Sequence, residues 1–198
     1  LLLGRALGAR VIVVDVVPER LAHALSLGAE LAFDAREGDV AARIVEATGG
    51  GAHVSVEALG IEATANGSIE CLRPLGRHVQ VGLPVGHTAV MQINMNAVYM
   101  KQLALYGSRG MPSWRYPSLL TMIETGRVDV RPIVAREVPL SAASAELRAF
   151  GGPMAPGVAV ITTSLPATAA LPSVARERSH WLAKWASNAR SRWPLRAA

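Results

Sequence analysis

From Arg10 onward, short β-branched runs alternate with segments of helical period, and no other feature limits the possible folds as tightly. VIVVD at 11–15 leads to PERLAHALSLGA at 18–29 and ELAFD; DVAARIVEATGG at 39–50 leads to AHVSVEALG at 52–60; the helical IEATANGSIECLRP leads to GRHVQVGLP at 76–84. A helix around Val98, a strand QLALYGS at 102–108 and an amphipathic helix YPSLLTMIETG at 116–126 extend the series. A run such as VIVVD, apolar at successive positions, fits a strand covered on both faces rather than one facing water. Parallel strands joined by helices bury such runs, so the rhythm predicts an α/β fold with a doubly wound, Rossmann-type parallel sheet.

The boundaries follow from local chemistry. Pro18 has its φ pre-set for a first helical turn, and Gly28, Gly49 and Gly126 follow helical segments where a left-handed residue ends them. The α/β unit is expected to end near Asp129, giving a nucleotide-binding domain at 1–129. RPIVAREVPLSAASAELRAF and GVAVITT form a shorter segment at 130–163, with Gly157 to Thr163 as its strand. From Ser164 the chain turns to SLPATAALPSVA and then to arginines interleaved with three of the four tryptophans. Residues 164–198 therefore read as a basic tail expected to be disordered.

The formal charge of +5 would ordinarily suggest an anionic partner, but it is unevenly placed. Residues 1–164 hold 14 basic and 14 acidic side chains, whereas 165–198 hold six basic ones against the single acid Glu177. The one cysteine, Cys71, allows no internal disulfide, and no charge-free apolar run approaches the roughly 20 residues that cross a bilayer. These features fit a soluble protein of a reducing, cytoplasmic setting, with no membrane or nucleic acid as partner.

Asp15 closes VIVVD. In a doubly wound sheet, an acid at the carboxyl end of the second strand lies where the adenosine ribose hydroxyls of a dinucleotide sit. A carboxylate accepts their hydrogen bonds and repels a 2′-phosphate, so Asp15 favours NAD over NADP, with Arg20 beside the adenosine. The same acid can equally be a turn or helix-capping residue before Pro18. Ala58-Leu59-Gly60, Val81-Gly82-Leu83 and Tyr106-Gly107-Ser108 place glycine where strand ends meet turns. Such positions can bring bare backbone against a flat ligand, or serve only to make the turn.

GARVIVVDVVPERLAHALSLGAE, GGGAHVSVEALG, CLRPLGRHVQVGLP and LALYGSRGMPSWRYP together resemble successive blocks of zinc-dependent medium-chain alcohol dehydrogenases, a likeness covering about residues 1–163. The resemblance implies that Asp15 and Arg20 contact the adenosine ribose of NAD. It implies that Ala58, Leu59, Gly60, Val81, Gly82, Leu83, Tyr106, Gly107 and Ser108 contact the nicotinamide and its ribose. It further implies that 130–163 belongs to a catalytic domain, that the substrate is a small alcohol or aldehyde, and that the full-length form is a homo-oligomer. The glycine-rich turn of this fold should precede Asp15 by about 20 residues; the chain supplies only fourteen. The sheet is therefore expected to lack its first strand, whose place in the order 3-2-1-4-5-6 lies between VIVVD and AHVSVEALG. Two unpaired central edges should result, making the isolated chain marginally stable and inactive.

Family members use zinc as a Lewis acid on the alcohol oxygen. A catalytic zinc needs three convergent Cys, His or carboxylate ligands, and Cys71 with five scattered histidines does not suggest such a set. The zinc ligands are thus expected outside this chain, and no catalytic residue is assigned within it. His78 in a strand, and His23, His53 and His87 elsewhere, are expected to have packing or surface roles, and Cys71 to be an inert core thiol. Two other readings compete: a zinc-free quinone reductase of the same superfamily, against which Asp15 counts, and a non-catalytic fragment whose Trp/Arg tail binds nucleic acid or membrane.

Overall fold

The structure, a computed structural model, describes residues 1–86, 89–149 and 156–162. Each β-branched run becomes a strand and each segment of helical period a helix. The order is α1 (Leu2–Ala6), β1 (Ile12–Asp15), α2 (Pro18–Ser26), β2 (Leu31–Asp34), α3 (Val40–Ala47), β3 (Ala52–Glu57), α4 (Glu62–Glu70), β4 (Leu72–Gln80), α5 (Met95–Met100), β5 (Ala104–Gly107) and α6 (Tyr116–Glu124). After these come β6 (Val134–Pro139), α7 (Ala143–Ala149) and β7 (Val158–Thr162).

The described residues divide into two compact units, 1–136 with 156–159, and 137–149 with 160–162. In the second, a short 3₁₀ turn at Leu140–Ala142 precedes α7, and Thr162 Oγ1 donates to the Val138 carbonyl at 3.3 Å. β6 and β7 pair as a two-stranded sheet. Thr163 and the basic tail at 164–198 lie outside the described residues, as does His87.

In the first unit the strands form two parallel sheets, β1–β2 and β3–β4–β5. Neither the outer edge of β1 nor that of β3 carries a ladder among the described residues, as the expected gap between them requires. Val14, Val54 and Val56 are 42, 52 and 62% exposed. Side chains patterned for burial are thus half in water. α3 packs against both sheets: Ala41 and Ile44 of this helix, with Cys71, form a core cluster against which Ile12 of β1, Phe33 of β2 and Ala52 of β3 pack. Asp39 caps α3 by accepting from the Ala42 amide at 3.0 Å, satisfying one of the donors a helix start leaves free.

One sequence expectation is corrected. The helix was expected to run through CLRP, but α4 stops at Glu70, and Leu72, fully buried, pairs with Ala52 at the start of β4. Leu72 lies three residues beyond Ile69, which mimics helical spacing, while Pro74 lacks the amide a helix would need. Lys101 Nζ donates to the carbonyls of Glu70 and Leu72 at 2.7 and 2.9 Å, closing the helix end with a cation. The β3–β4 register then skips from Ala52↔Leu72 to Val54↔Arg77, so Arg73 to Gly76 arch outward.

Leu75 sits on that arch at φ 63° and is 71% exposed. Left-handed backbone costs a residue with a Cβ roughly 1–2 kcal/mol, partly offset in glycine by its greater unfolded-state entropy. Leu75→Gly is therefore expected to stabilise the chain by about 0.5–1 kcal/mol, seen as a higher urea midpoint with an unchanged slope. A lower midpoint would show that the leucine side chain contributes packing.

Candidate functional site

Parallel strands send their carboxyl ends to one side of a sheet, and the loops leaving those ends form the natural crevice of an α/β fold. Every residue singled out from the sequence as a cofactor contact lies at such an end. Asp15 ends β1, Arg20 is in the first turn of α2, Ala58 to Gly60 follow β3, Val81 to Leu83 follow β4, Tyr106 and Gly107 end β5, and Ser108 follows it.

Asp15 divides its two oxygens between two tasks. Oδ1 accepts from the amides of Val16 and Val17 at 2.7 and 2.9 Å, so the turn-capping role is filled. Oδ2 has Arg20 Nη1 at 3.7 Å, an ion-pair distance too long for a hydrogen bond, and the side chain is 27% exposed. Among the described residues no hydrogen bond reaches that oxygen, which lies at the mouth of the sheet. Capping and ligand roles are thus compatible, because they use different atoms.

The neighbouring acid behaves differently. Asp34 ends β2 in register with Asp15, yet both its oxygens are taken by the Arg36 guanidinium, with Nε at 2.9 Å from Oδ1 and 3.1 Å from Oδ2. Those hydrogen bonds hold the Asp34 carboxyl down at about 2. Of the two carboxylates at this edge, Asp15 is the one with an uncommitted oxygen.

At the second sheet, the loops after β3 and β4 interlock. Gly60 has φ +83°, and a Cβ there would run into the Leu83 carbonyl. At Gly82 a Cβ would come within 2.6 Å of the Leu59 amide nitrogen, so bare backbone is required at both positions. The loop after β5 joins them through Ser108 N, which donates to the Gln80 carbonyl at 2.9 Å. The structure therefore brings 58–60, 81–83 and 106–108 side by side. Leu59, Leu83 and Tyr106 stand 65, 66 and 53% exposed, an apolar rim over polar backbone.

Beneath these loops lie two residues that sequence reasoning passed over, Glu57 and Gln80. Glu57 is 3% exposed. Its Oε1 accepts from the Leu59 and Gly60 amides and Thr64 Oγ1 at 2.7, 2.9 and 2.7 Å, and its Oε2 from Gly60 N at 3.0 Å and from Gln80 Nε2. With its amide nitrogen also donating to the Gly82 carbonyl, Gln80 turns Oε1 toward His78 Nε2 at 3.2 Å. His78, 4% exposed, meets the Ser55 and Ser68 hydroxyls at Nδ1, at 3.3 and 3.1 Å. It is a packed strand histidine, as expected. The available signal for Glu57 was an acid ending an apolar strand, as at Asp15.

Burial alone would raise the Glu57 carboxyl, but the hydrogen bonds from Thr64, Gly60, Leu59 and Gln80 outweigh it and hold the group below the ordinary glutamate value. A folded-state value below the unfolded one stabilises the fold fully above the unfolded value, and that contribution disappears as pH falls through the folded value. Asp34 and Asp129, each held at about 2 by an arginine, have the same sign at lower pH. Unfolding free energy is therefore expected to stay level from neutral pH to about pH 5 and to fall between about pH 5 and pH 2. A flat profile from chemical denaturation would contradict this.

Burial pushes the Cys71 thiol up to about 11, so it is protonated and unreactive at neutral pH. His23 and His53 take no part in the loops; His53 Nε2 accepts from Arg73 Nη1 at 2.7 Å. An opening of about 400 Å³ lined by His53, Arg73, Leu75 and Arg77 lies at the amino ends of β3 and β4, away from the crevice. Among the described residues no group of three or more His, Cys, Asp or Glu side chains could hold a metal ion. These residues do not fit a zinc site. No helix among them is long and apolar enough to cross a membrane.

Comparison with known proteins agrees with the fold. A family described as zinc-binding dehydrogenase matches residues 1–125. The erythritol/L-threitol dehydrogenase of Mycolicibacterium smegmatis is 31% identical over 133 residues, 67% of this chain and 36% of that protein. The sorbitol dehydrogenase of Halalkalibacterium halodurans is 29% identical over 123 residues, 62% of this chain and 35% of that protein. The crystal structure of 2R,3R-butanediol dehydrogenase from Bacillus subtilis superposes with a TM-score of 0.74 at 25% identity, covering 82% of this chain and 46% of that one. The chain thus spans little more than a third of the length of these curated relatives, and under half of that solved structure.

Proposed function

The chain belongs to the zinc-binding dehydrogenase family, and from that premise we propose that it supplies the cofactor-binding half of an NAD-dependent alcohol dehydrogenase. The observation that carries the reading is Asp15 Oδ2 at the carboxyl end of β1, ion-paired with Arg20 but accepting no hydrogen bond among the described residues. Its lone pairs suit the hydroxyls of the adenosine ribose, and its charge opposes a 2′-phosphate. NADP-dependent quinone reduction is correspondingly disfavoured.

Ala58 to Gly60, Val81 to Leu83 and Tyr106 to Ser108 would hold the nicotinamide and its ribose, offering backbone groups below and an apolar rim above. NAD held there would supply the hydride acceptor for oxidation of an alcohol carbon. This chain's own part is to bind the dinucleotide, orient its nicotinamide and cover it from water. Substrate contacts and the zinc ligands are assigned to parts of the full-length enzyme other than the described residues, so the chain alone binds NAD without turning over alcohol. The names of the relatives point to a small alcohol or polyol as substrate, and a cytoplasmic homo-oligomer completes the reading.

Equilibrium dialysis of the full chain against NAD and NADP tests the proposal. Saturable binding of NAD with clearly weaker binding of NADP is expected. Equal retention of both, or of neither, would remove its basis.

A further inference from the structure

Glu57 is a buried carboxylate that touches two loops at once. Its side chain binds the loop after β3 through Leu59 N, Gly60 N and Thr64 Oγ1. Its main-chain carbonyl binds the loop after β4, accepting from Val81 N at 2.8 Å and Gly82 N at 2.9 Å. Gln80 Nε2 joins the two by donating both to Glu57 Oε2 and to the Gly82 carbonyl. Among the described residues no arginine or lysine forms an ion pair with it; its charge is balanced by N–H and O–H donors alone.

We propose that Glu57 is the positioning residue for the nicotinamide end of the cofactor, its carboxylate locking the 58–60 and 81–83 loops into one surface. This rests on the assignment of those loops to the nicotinamide under the proposed function. A buried carboxylate is costly unless its lone pairs are filled, so each donor is held firmly in place. Gly82 packs so closely that a Cβ there would lie 2.5 Å from Glu57 Oε2, so the 81–83 backbone lies directly against the carboxylate. The adenosine end, at Asp15 on the other sheet, makes no hydrogen bond to this network among the described residues.

Replacing the carboxylate by an amide turns one acceptor into a donor facing N–H groups and breaks the side-chain link that runs through Gln80 to Gly82, while the main-chain carbonyl remains. Removing the Thr64 hydroxyl takes away one bond to the carboxylate, with its contact to the Ile61 carbonyl at 3.0 Å, and leaves the carboxylate in place.

The test uses the full chain with Glu57→Gln and Thr64→Val, measuring dissociation constants for NAD and for ADP, which lacks the nicotinamide and its ribose. Glu57→Gln is expected to weaken NAD about tenfold and ADP less than about twofold, with Thr64→Val smaller in the same direction. Amide hydrogen exchange without ligand supplies an independent readout: Leu59, Gly60, Val81 and Gly82 should lose protection together in both variants. NAD and ADP weakening equally, NAD unchanged, or the 81–82 amides staying protected while 59–60 open would each overturn the proposal. If Glu57→Gln does not fold, Thr64→Val carries both readouts with the same criteria. An unaltered chain that binds neither nucleotide overturns the NAD reading and with it the nicotinamide role, whereas exchange still decides whether Glu57 couples the loops.

Discussion

Asp15→Ala is expected to raise the dissociation constant for NAD by about ten- to a hundredfold, the cost of about 1.5–3 kcal/mol for hydrogen bonds to a charged acceptor. Part of that loss could come from the cap, because Oδ1 also accepts from Val16 and Val17. Asp15→Asn separates the two. An amide oxygen turned toward Val16 and Val17 keeps the cap, while the charge that opposes a 2′-phosphate is gone. With the turn preserved in this variant, NAD should still weaken and the preference for NAD over NADP should narrow. Dialysis of both variants against both nucleotides measures this; unchanged NAD affinity in Asp15→Ala would sink the cofactor assignment.

The second large effect concerns stability. Leu72 has no exposed surface, and it starts β4 opposite Ala52, where the sheet joins the cluster around α3. Leu72→Ala is expected to cost about 2–5 kcal/mol, through lost transfer energy and the cavity left behind. Natural domains have only about 5–15 kcal/mol in total, and a sheet with two bare edges has less to spare. Most of the chain should therefore be unfolded at mild urea concentrations, read by circular dichroism. A loss under about 1 kcal/mol would mean that the site collapses around the smaller side chain.

The fold was legible wherever local chemistry decides it. VIVVD and AHVSVE have the β-branched, apolar content of buried strands, and Pro18, Gly28 and Gly49 mark where helices start and stop. The division into two sheets was also legible, because strand order in a doubly wound fold fixes which neighbour β1 and β3 lack. The overrun of the fourth helix was not: Ile69 and Leu72 have helical spacing, and only the pairing of Leu72 with a residue twenty positions earlier shows that it belongs to a strand. Leu75 hides similarly, since a leucine gives no hint of left-handed backbone.

At the candidate site, the position of Asp15 and of the glycine-bearing loops could be read from the sequence because each sits at a strand end. Glu57 shares that signal but was absorbed into its strand. Its meaning depends on Gln80, twenty-three residues away, and on the close approach of Gly82, neither of which any local spacing reveals. The same holds for Arg36, whose capture of Asp34 leaves Asp15 as the acid with an open oxygen.

The packing of α3 against both sheets has a mechanical consequence. Each sheet is cohesive internally, but between them, among the described residues, there is side-chain packing and no backbone ladder, so the junction is the compliant part of the unit. A dinucleotide reaching from Asp15 to the 81–83 backbone would act as a strut across that junction. Some of its binding energy would be spent on stiffening, and its affinity would report the rigidity of α3 as well as the quality of either end.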